Sequence, residues 1–198
     1  MFYVVLGWLL TIQEFPLTPH PWEIADDDNG IKVYKRVVPG APYKEVKGVM
    51  DLAATPKRVF ELLYHIEDHK TYMPFLDEIA IVGDANVNPR LEYRLTDVPL
   101  LSARDQIVAM EYNDLGNDHY ELKWRCLKDG YPEKADVIRI NDCYGYWQLL
   151  PIEKNQTHIE YMLYCLPGGS LPTWIVNRMS IQVPIDVLKA LQNRLLSP

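Results

Sequence analysis

Apolar positions repeat along the chain with two periods, and the switch between them marks out its elements. IKVYKRVV (Ile31 to Val38) is a β-branched run, and YKEVKGVMD (Tyr43 to Asp51) is a second. Pro39-Gly40-Ala41-Pro42 separates them, which predicts a hairpin. Ahead of both, Trp22 to Asn29 leads through DDDNG, a turn whose Asn-Gly pair tolerates positive φ. From Ala54 to Asp68 the period lengthens. Thr55 can cap, Pro56 takes the first helical position, and Val59, Phe60, Leu62, Leu63 and Ile66 form a helical apolar face. A short helical turn follows over Thr71 to Pro74.

From Ile79 the chain reads as strands: Ile79–Val82, Leu91–Thr96, Ala103–Met110, Tyr120–Leu127, Val137–Ile140, Tyr144–Leu150 and Ile159–Cys165. Turn residues at Gly83–Asp84, Asn113–Asp118, Lys128–Glu133 and Glu153–Gln156 divide several of them. HYELKWRCL alternates most cleanly: Tyr120, Leu122, Trp124 and Cys126 share one face, and Glu121, Lys123 and Arg125 the other. That pattern belongs to an antiparallel sheet with one wet face.

The last segment, Pro167 to Leu196, reads as a glycine-hinged turn and a long helix. Ser170 is the expected N-cap, and Pro172 falls in the first turn, where a missing N–H costs nothing. Pro184 lies deep inside and predicts a kink at the Ser180 carbonyl. Ile175, Val176, Met179 and Val183 share one face; Val187, Leu188, Leu191 and Leu195 share another, rotated by about 100°. Such a helix either docks on a sheet in the ordinary way or closes a cavity, with Gly168 and Gly169 as its hinge. A sheet this large must curl, and only this helix is long enough to cover its concave face. The expected class is α+β, a curved antiparallel sheet wrapped around a long C-terminal helix.

Composition narrows the function. At 198 residues one domain is the simplest count, with 48% apolar and 24% charged residues. A net charge of −7 argues against a nucleic-acid partner and against a polybasic membrane anchor. The 13 Tyr and 5 Trp suit the walls of a pocket or a core. Cys126, Cys143 and Cys165 are widely spaced and odd in number, which reads as buried free thiols and not as a zinc site. MFYVVLGWLLTI is too short for the ~20 residues of a bilayer span and lacks a basic flank. Residues 1–21 therefore read as an apolar helix, or a degenerate export signal, with a linker, and 22–198 as the domain. A cytoplasmic location is the default, export by that signal the alternative.

Several stretches in order resemble one family: the Trp22 lead-in with GIKVYKRVVPG, KEVKGVMDL, ATPKRVFELL, YMPFLDEI, VPLLSARDQIV, GYWQLLPI and PGGSLPTWIVNRMSIQVPIDVLKAL. Together they are similar to the START (StAR-related lipid-transfer) domain, bacterial members above all, within the helix-grip, Bet v 1-like superfamily. The resemblance covers about Trp22 to Leu196. It implies a U-shaped sheet around the C-terminal helix, a hydrophobic tunnel between them, one bound lipid-like molecule and no chemistry. Arg104-Asp105 matches the family's Arg-Asp pair beside the tunnel, and Val98 to Ser102 matches the loop at its mouth. Gly168, Gly169, Pro172, Trp174, Asn177 and Pro184 match the hinge and lid helix. Sterol-binding members resembling this family carry a basic residue where Met110 stands, paired with an acid; here Glu92 holds the acid's place without that partner, so sterol is not implied.

The expected ligand-binding residues are Tyr93, Leu100, Leu101, Arg104, Val108, Met110, Trp124, Trp174, Met179 and Val183, with Leu95 and Leu122 as further wall candidates. Each apolar one, taken singly, fits a dry core better than a ligand contact, and only together do they make a cavity wall. Arg104 must find either a structural acid such as Asp105 or Glu92, or a ligand head group. No cofactor and no metal are expected: His65 and His69 stand i, i+4 but lack a third ligand. HExxH, GxSxG, GxGxxG and P-loop motifs are not in the sequence. The expected partner is a hydrophobic small molecule or lipid carried by a monomer, with transient membrane contact. The alternatives are an aromatase/cyclase-type enzyme or a quinone-chaperone-like binding module on the same fold.

Overall fold

A computed structural model describes residues 19–196. The apolar opening and most of the linker, read above as helix or signal, lie outside the described residues. The strands are β1 (Glu23–Asp28), β2 (Ile31–Val37), β3 (Lys44–Leu52), β4 (Leu76–Val82), β5 (Arg90–Thr96), β6 (Arg104–Asp114), β7 (Tyr120–Leu127), β8 (Ile138–Ile140), β9 (Cys143–Glu153) and β10 (Gln156–Cys165). The helices are α1 (Pro56–Tyr64), α2 (His69–Tyr72) and α3 (Thr173–Leu196). They form one sheet in the order β1-β2-β3-β10-β9-β7-β6-β5-β4, with β8 attached to β6.

β1 is an addition to the expected set. Its EIADDD sequence has little strand propensity, but Asn29 (φ 52°) and Gly30 (φ 87°) make a tight turn that lays it against β2. At a sheet edge, acidic side chains can face solvent. β8 departs from the all-antiparallel expectation: it pairs parallel with β6, Arg104 opposite Ile138. α1 begins as its sequence predicts. The Thr55 side chain accepts from the Arg58 N–H at 3.3 Å, and Pro56 follows at the first helical position. It ends at Tyr64, so His65 and His69 do not share a helix.

α3 starts one residue later than Pro172. That proline's carbonyl accepts from the Ile175 and Val176 N–H groups, so it precedes the first turn, and Ser170 lies outside the cap. The helix runs from Thr173 to Leu196 with Pro184 inside it. The change of apolar face there has a packing reason. Beyond the proline, Ile185, Leu188, Leu191 and Leu195 are buried against the sheet. The approach is close: a Cβ on Gly48 of β3 would come within 2.7 Å of Leu188 Cδ1 and 2.9 Å of Pro184 Cβ. Before the proline, Val176, Met179 and Val183 look into open space.

Candidate functional site

That open space is a cavity of about 310 Å³ between the concave sheet face and the first half of α3. Strand alternation builds its wall. On β6, Arg104, Gln106 and Met110 point inward, and on β7 so do Leu122 and Trp124, with Met110 opposite Trp124. Trp147 of β9 and Tyr161 of β10 continue the surface, their rings stacked at 4.1 Å between centroids. Trp124 also stacks with Tyr161, at 5.8 Å between centroids, so the three rings make a continuous aromatic wall.

The expected binding residues divide. Leu101, Arg104, Met110, Trp124, Met179 and Val183 line the cavity, as does Leu122. Val108 shares their face but is buried in the dry core. Tyr93 takes the opposite face: its strand neighbours Glu92 and Arg94 point inward, and its ring stacks on Tyr131 at 4.3 Å, under the Lys134 ammonium. Leu95, two residues on, shares that face and is not part of the lining. Leu100 and Trp174 point out to solvent, Leu100 fully and Trp174 with 67% exposure. Tyr93 and Leu95 are assigned by apolarity, which carries no sign for which face of a strand is concave; Leu100 and Trp174 are assigned with the mouth loop and lid helix, whose position does not fix where each side chain points.

The cavity's polar end was missed. Glu92, fully buried, accepts from Arg90 Nη2 and Arg94 Nη2, each at 2.7 Å, and from the Tyr112 hydroxyl at 2.6 Å. Burial opposes its charge, but Arg94, Tyr112 and Arg90 outweigh that and hold the carboxyl below its ordinary range. Glu92 therefore does have basic partners, on its own strand, and Arg94 brings one guanidinium to the cavity wall. The signal was RLEYR, whose i±2 charges must share a face. Burial pushes the nearby Tyr161 hydroxyl up to about 12, so it stays a neutral donor.

His69 also lines this end. Its Nε2 lies 3.0 Å from the Leu62 carbonyl, which can only accept, so the proton sits on Nε2. Burial, aided by Arg94, drops its pKa to about 4. Between about pH 6.5 and 4 the unfolded chain takes a proton that the folded one refuses, so stability falls with pH there, by on the order of 3 kcal/mol. Urea midpoints at pH 7 and 4.5 check this: His69→Gln, which keeps a donor for Leu62, should flatten the difference.

Arg104 resolves its two readings in a third way. It does not pair with Asp105, which alternation sends to the outer face, where Arg139 grips it with two hydrogen bonds of 2.6 and 2.9 Å. Instead Arg104 Nε donates to the Pro167 carbonyl at 3.1 Å and Nη1 to the Ser102 carbonyl. One side chain thus joins the mouth loop to the segment that precedes Gly168 and Gly169. Both glycines have positive φ, 66° and 65°, the left-handed backbone that glycine permits.

The cysteines correct the sequence reading. Cys126 and Cys143 form a disulfide, and Cys165 alone is free. The pairing depends on β9 lying beside β7 with Arg125 opposite Tyr144, which spacing does not reveal.

No family model matches the chain. An uncharacterized Pseudomonas aeruginosa protein is 25% identical over 173 residues, 87% of this chain and 85% of that protein. The phosphatidylcholine transfer protein of Mus musculus is 26% identical over 196 residues, covering 92% of this chain and 89% of its own. The crystal structure of a STAR-related lipid transfer protein fragment from Xanthomonas axonopodis superposes with a TM-score of 0.80 at 28% identity, covering 88% of this chain and 98% of that one. In sequence and fold the chain is similar to START (StAR-related lipid-transfer) proteins. The START domain's helix-grip architecture is the one described above. Among the described residues, no helix is long and apolar enough to cross a membrane.

Proposed function

We propose that this START-like domain, as a monomer, carries one hydrophobic, lipid-like molecule in the cavity and performs no chemistry on it. The observation that supports this most is the apolar space left beneath the first half of α3, ringed by Leu101, Met110, Leu122, Trp124, Met179 and Val183. Its volume falls at the lower end of small-molecule sites, which run from about 300 to 1,000 Å³. Burying ~400 Å² of ligand would contribute about 10 kcal/mol gross, reduced by ordering costs. The ligand's apolar body lies along the aromatic wall, and its polar group faces Arg94, His69 and the Tyr161 hydroxyl. The similarity to a phosphatidylcholine transfer protein is consistent with a lipid as the ligand.

Loading and release need the mouth to part, and Arg104 is its latch. Leu100 (φ 69°) and Phe75 (φ 58°) hold left-handed backbone at the mouth, a conformation that costs a leucine or phenylalanine roughly 1–2 kcal/mol. Exposed Leu100 precedes the lining residue Leu101, and exposed Trp174 sits in the first turn of α3; both make transient contact with a bilayer during transfer.

Native mass spectrometry of the purified chain tests the proposal. A lipid-sized mass should co-purify, and Met179→Trp, which fills the cavity, should abolish it. Arg104→Ala should speed exchange of a fluorescent fatty acid by at least tenfold, because each of its two charge-assisted hydrogen bonds contributes about 1.5–3 kcal/mol and ~1.4 kcal/mol is a factor of ten. A chain that takes up no hydrophobic probe would end the carrier reading. Turnover of an offered polyketide would replace it with the cyclase reading.

A further inference from the structure

We propose that the cavity wall holds a thiol–disulfide exchange site in which Cys143 is shared between Cys126 and Cys165. β7, β9 and β10 are consecutive in the sheet, with β9 in the middle. Cys165 is paired directly with Cys143. Cys126 follows Arg125, which is paired with Tyr144, so Cys126 also stands opposite Cys143, 5.0 Å away between Cα atoms. Residues directly opposite on neighbouring strands share a face, their Cβ atoms about 4.5–5.5 Å apart. Disulfides need Cα separations of about 4.4–6.8 Å, so both neighbours of Cys143 are within reach. Cys126 and Cys165 are two strand spacings apart, about 9.5 Å, and are not. Cys143 and Cys165 both line the cavity.

The step balances without an outside oxidant. Cys165 gives up its proton, and its sulfur attacks Cys143 Sγ. The Cys143–Cys126 bond breaks as the Cys143–Cys165 bond forms, and Cys126 leaves as a thiolate and takes up a proton. The covalent tether moves from β7–β9 to β9–β10. Its new end is two residues before Pro167, whose carbonyl Arg104 holds. Burial pushes the Cys165 thiol up to about 12, with Asp142 adding to the rise. In the closed cavity the attacking thiolate is therefore scarce, and water admitted by opening raises its share. Exchange follows the opening of the mouth and stiffens the strand that feeds the hinge.

Peptide mapping decides the matter. The full chain is equilibrated in glutathione redox buffers, quenched with acid, alkylated with N-ethylmaleimide and digested. A Cys143–Cys165 peptide with alkylated Cys126 should accumulate beside Cys126–Cys143. Its rate of appearance should rise about tenfold per pH unit between about pH 7 and 9, as the thiolate fraction does. Cys126→Ser should convert fully to Cys143–Cys165, whereas Cys165→Ser should show Cys126–Cys143 alone. The proposal fails if the unsubstituted chain shows only Cys126–Cys143 at every redox ratio, or if a Cys126–Cys165 peptide forms. It also fails if Cys126→Ser, folded by circular dichroism, keeps both remaining thiols alkylated. None of these readouts depends on a bound lipid, so they stand apart from the carrier proposal.

Discussion

Replacing Glu92 with alanine is expected to lower the thermal midpoint by on the order of 10 °C. Two guanidiniums, Arg90 and Arg94, and the Tyr112 hydroxyl all converge on this carboxylate. Removing it leaves buried positive charge uncompensated, a loss of about 3–5 kcal/mol, and for a domain of this size each kcal/mol moves the midpoint by about 2–4 °C. Glu92→Gln keeps the shape but not the charge and should also fall steeply. Because the carboxyl is held below its ordinary range, its contribution is complete above the ordinary carboxylate pKa of about 4.3 and is lost as pH falls through the lowered folded value. Calorimetry at pH 7 and pH 3.5 checks both parts: the gap between parent and Glu92→Gln should narrow at the lower pH. A triple change of Glu92, Arg90 and Arg94 to apolar residues should recover much of the stability, since a removed network leaves no orphan charge. It should also remove the polar end of the cavity. A midpoint for Glu92→Ala within 2 °C of the parent would show that the network is not the buried unit described here.

Gly145→Ala should be at least as damaging, by a different route. A Cβ at this position of β9 would overlap the Met162 carbonyl oxygen on β10 and the six-membered ring of Trp124 on β7. The carbonyl belongs to the sheet ladder, so relief means prying β9 from β10. We expect on the order of 3 kcal/mol or more, or loss of soluble protein. Gly48→Ala provides the contrast. The nearest atoms its Cβ would meet belong to the Leu188 and Pro184 side chains, and those can move with α3. A loss of about 1–3 kcal/mol is expected. Urea midpoints with near-ultraviolet circular dichroism separate the two variants, because only Gly145→Ala displaces a tryptophan of the cavity wall. Equal losses for both glycines would contradict this account.

The alternating runs, the Thr55-Pro56 helix start and the two-faced terminal helix were legible because each depends on near neighbours in the chain. The Asn29-Gly30 turn was legible for the same reason, but the strand before it was not. EIADDD becomes a strand only because Ile31 to Val37 supplies an edge to pair with. Arg104 shows the opposite limit. Its strand and inward direction followed from alternation, whereas its partners are carbonyls 2 and 63 positions away, and a backbone carbonyl leaves no residue-type signature.

What the sequence determined alone is periodicity: which residues alternate, where period two gives way to 3.6, and hence a curling sheet with a long helix to cover it. Tertiary structure alone decided the pairings across strands. These set Tyr93 outside and Arg94 inside, joined Cys126 to Cys143, and left the space beneath Met179 and Val183 unfilled. The reason is physical. Periodicity is a property of consecutive backbone dihedrals, but register, burial and empty volume arise where distant segments meet, and packing settles them only once the sheet has closed on the helix.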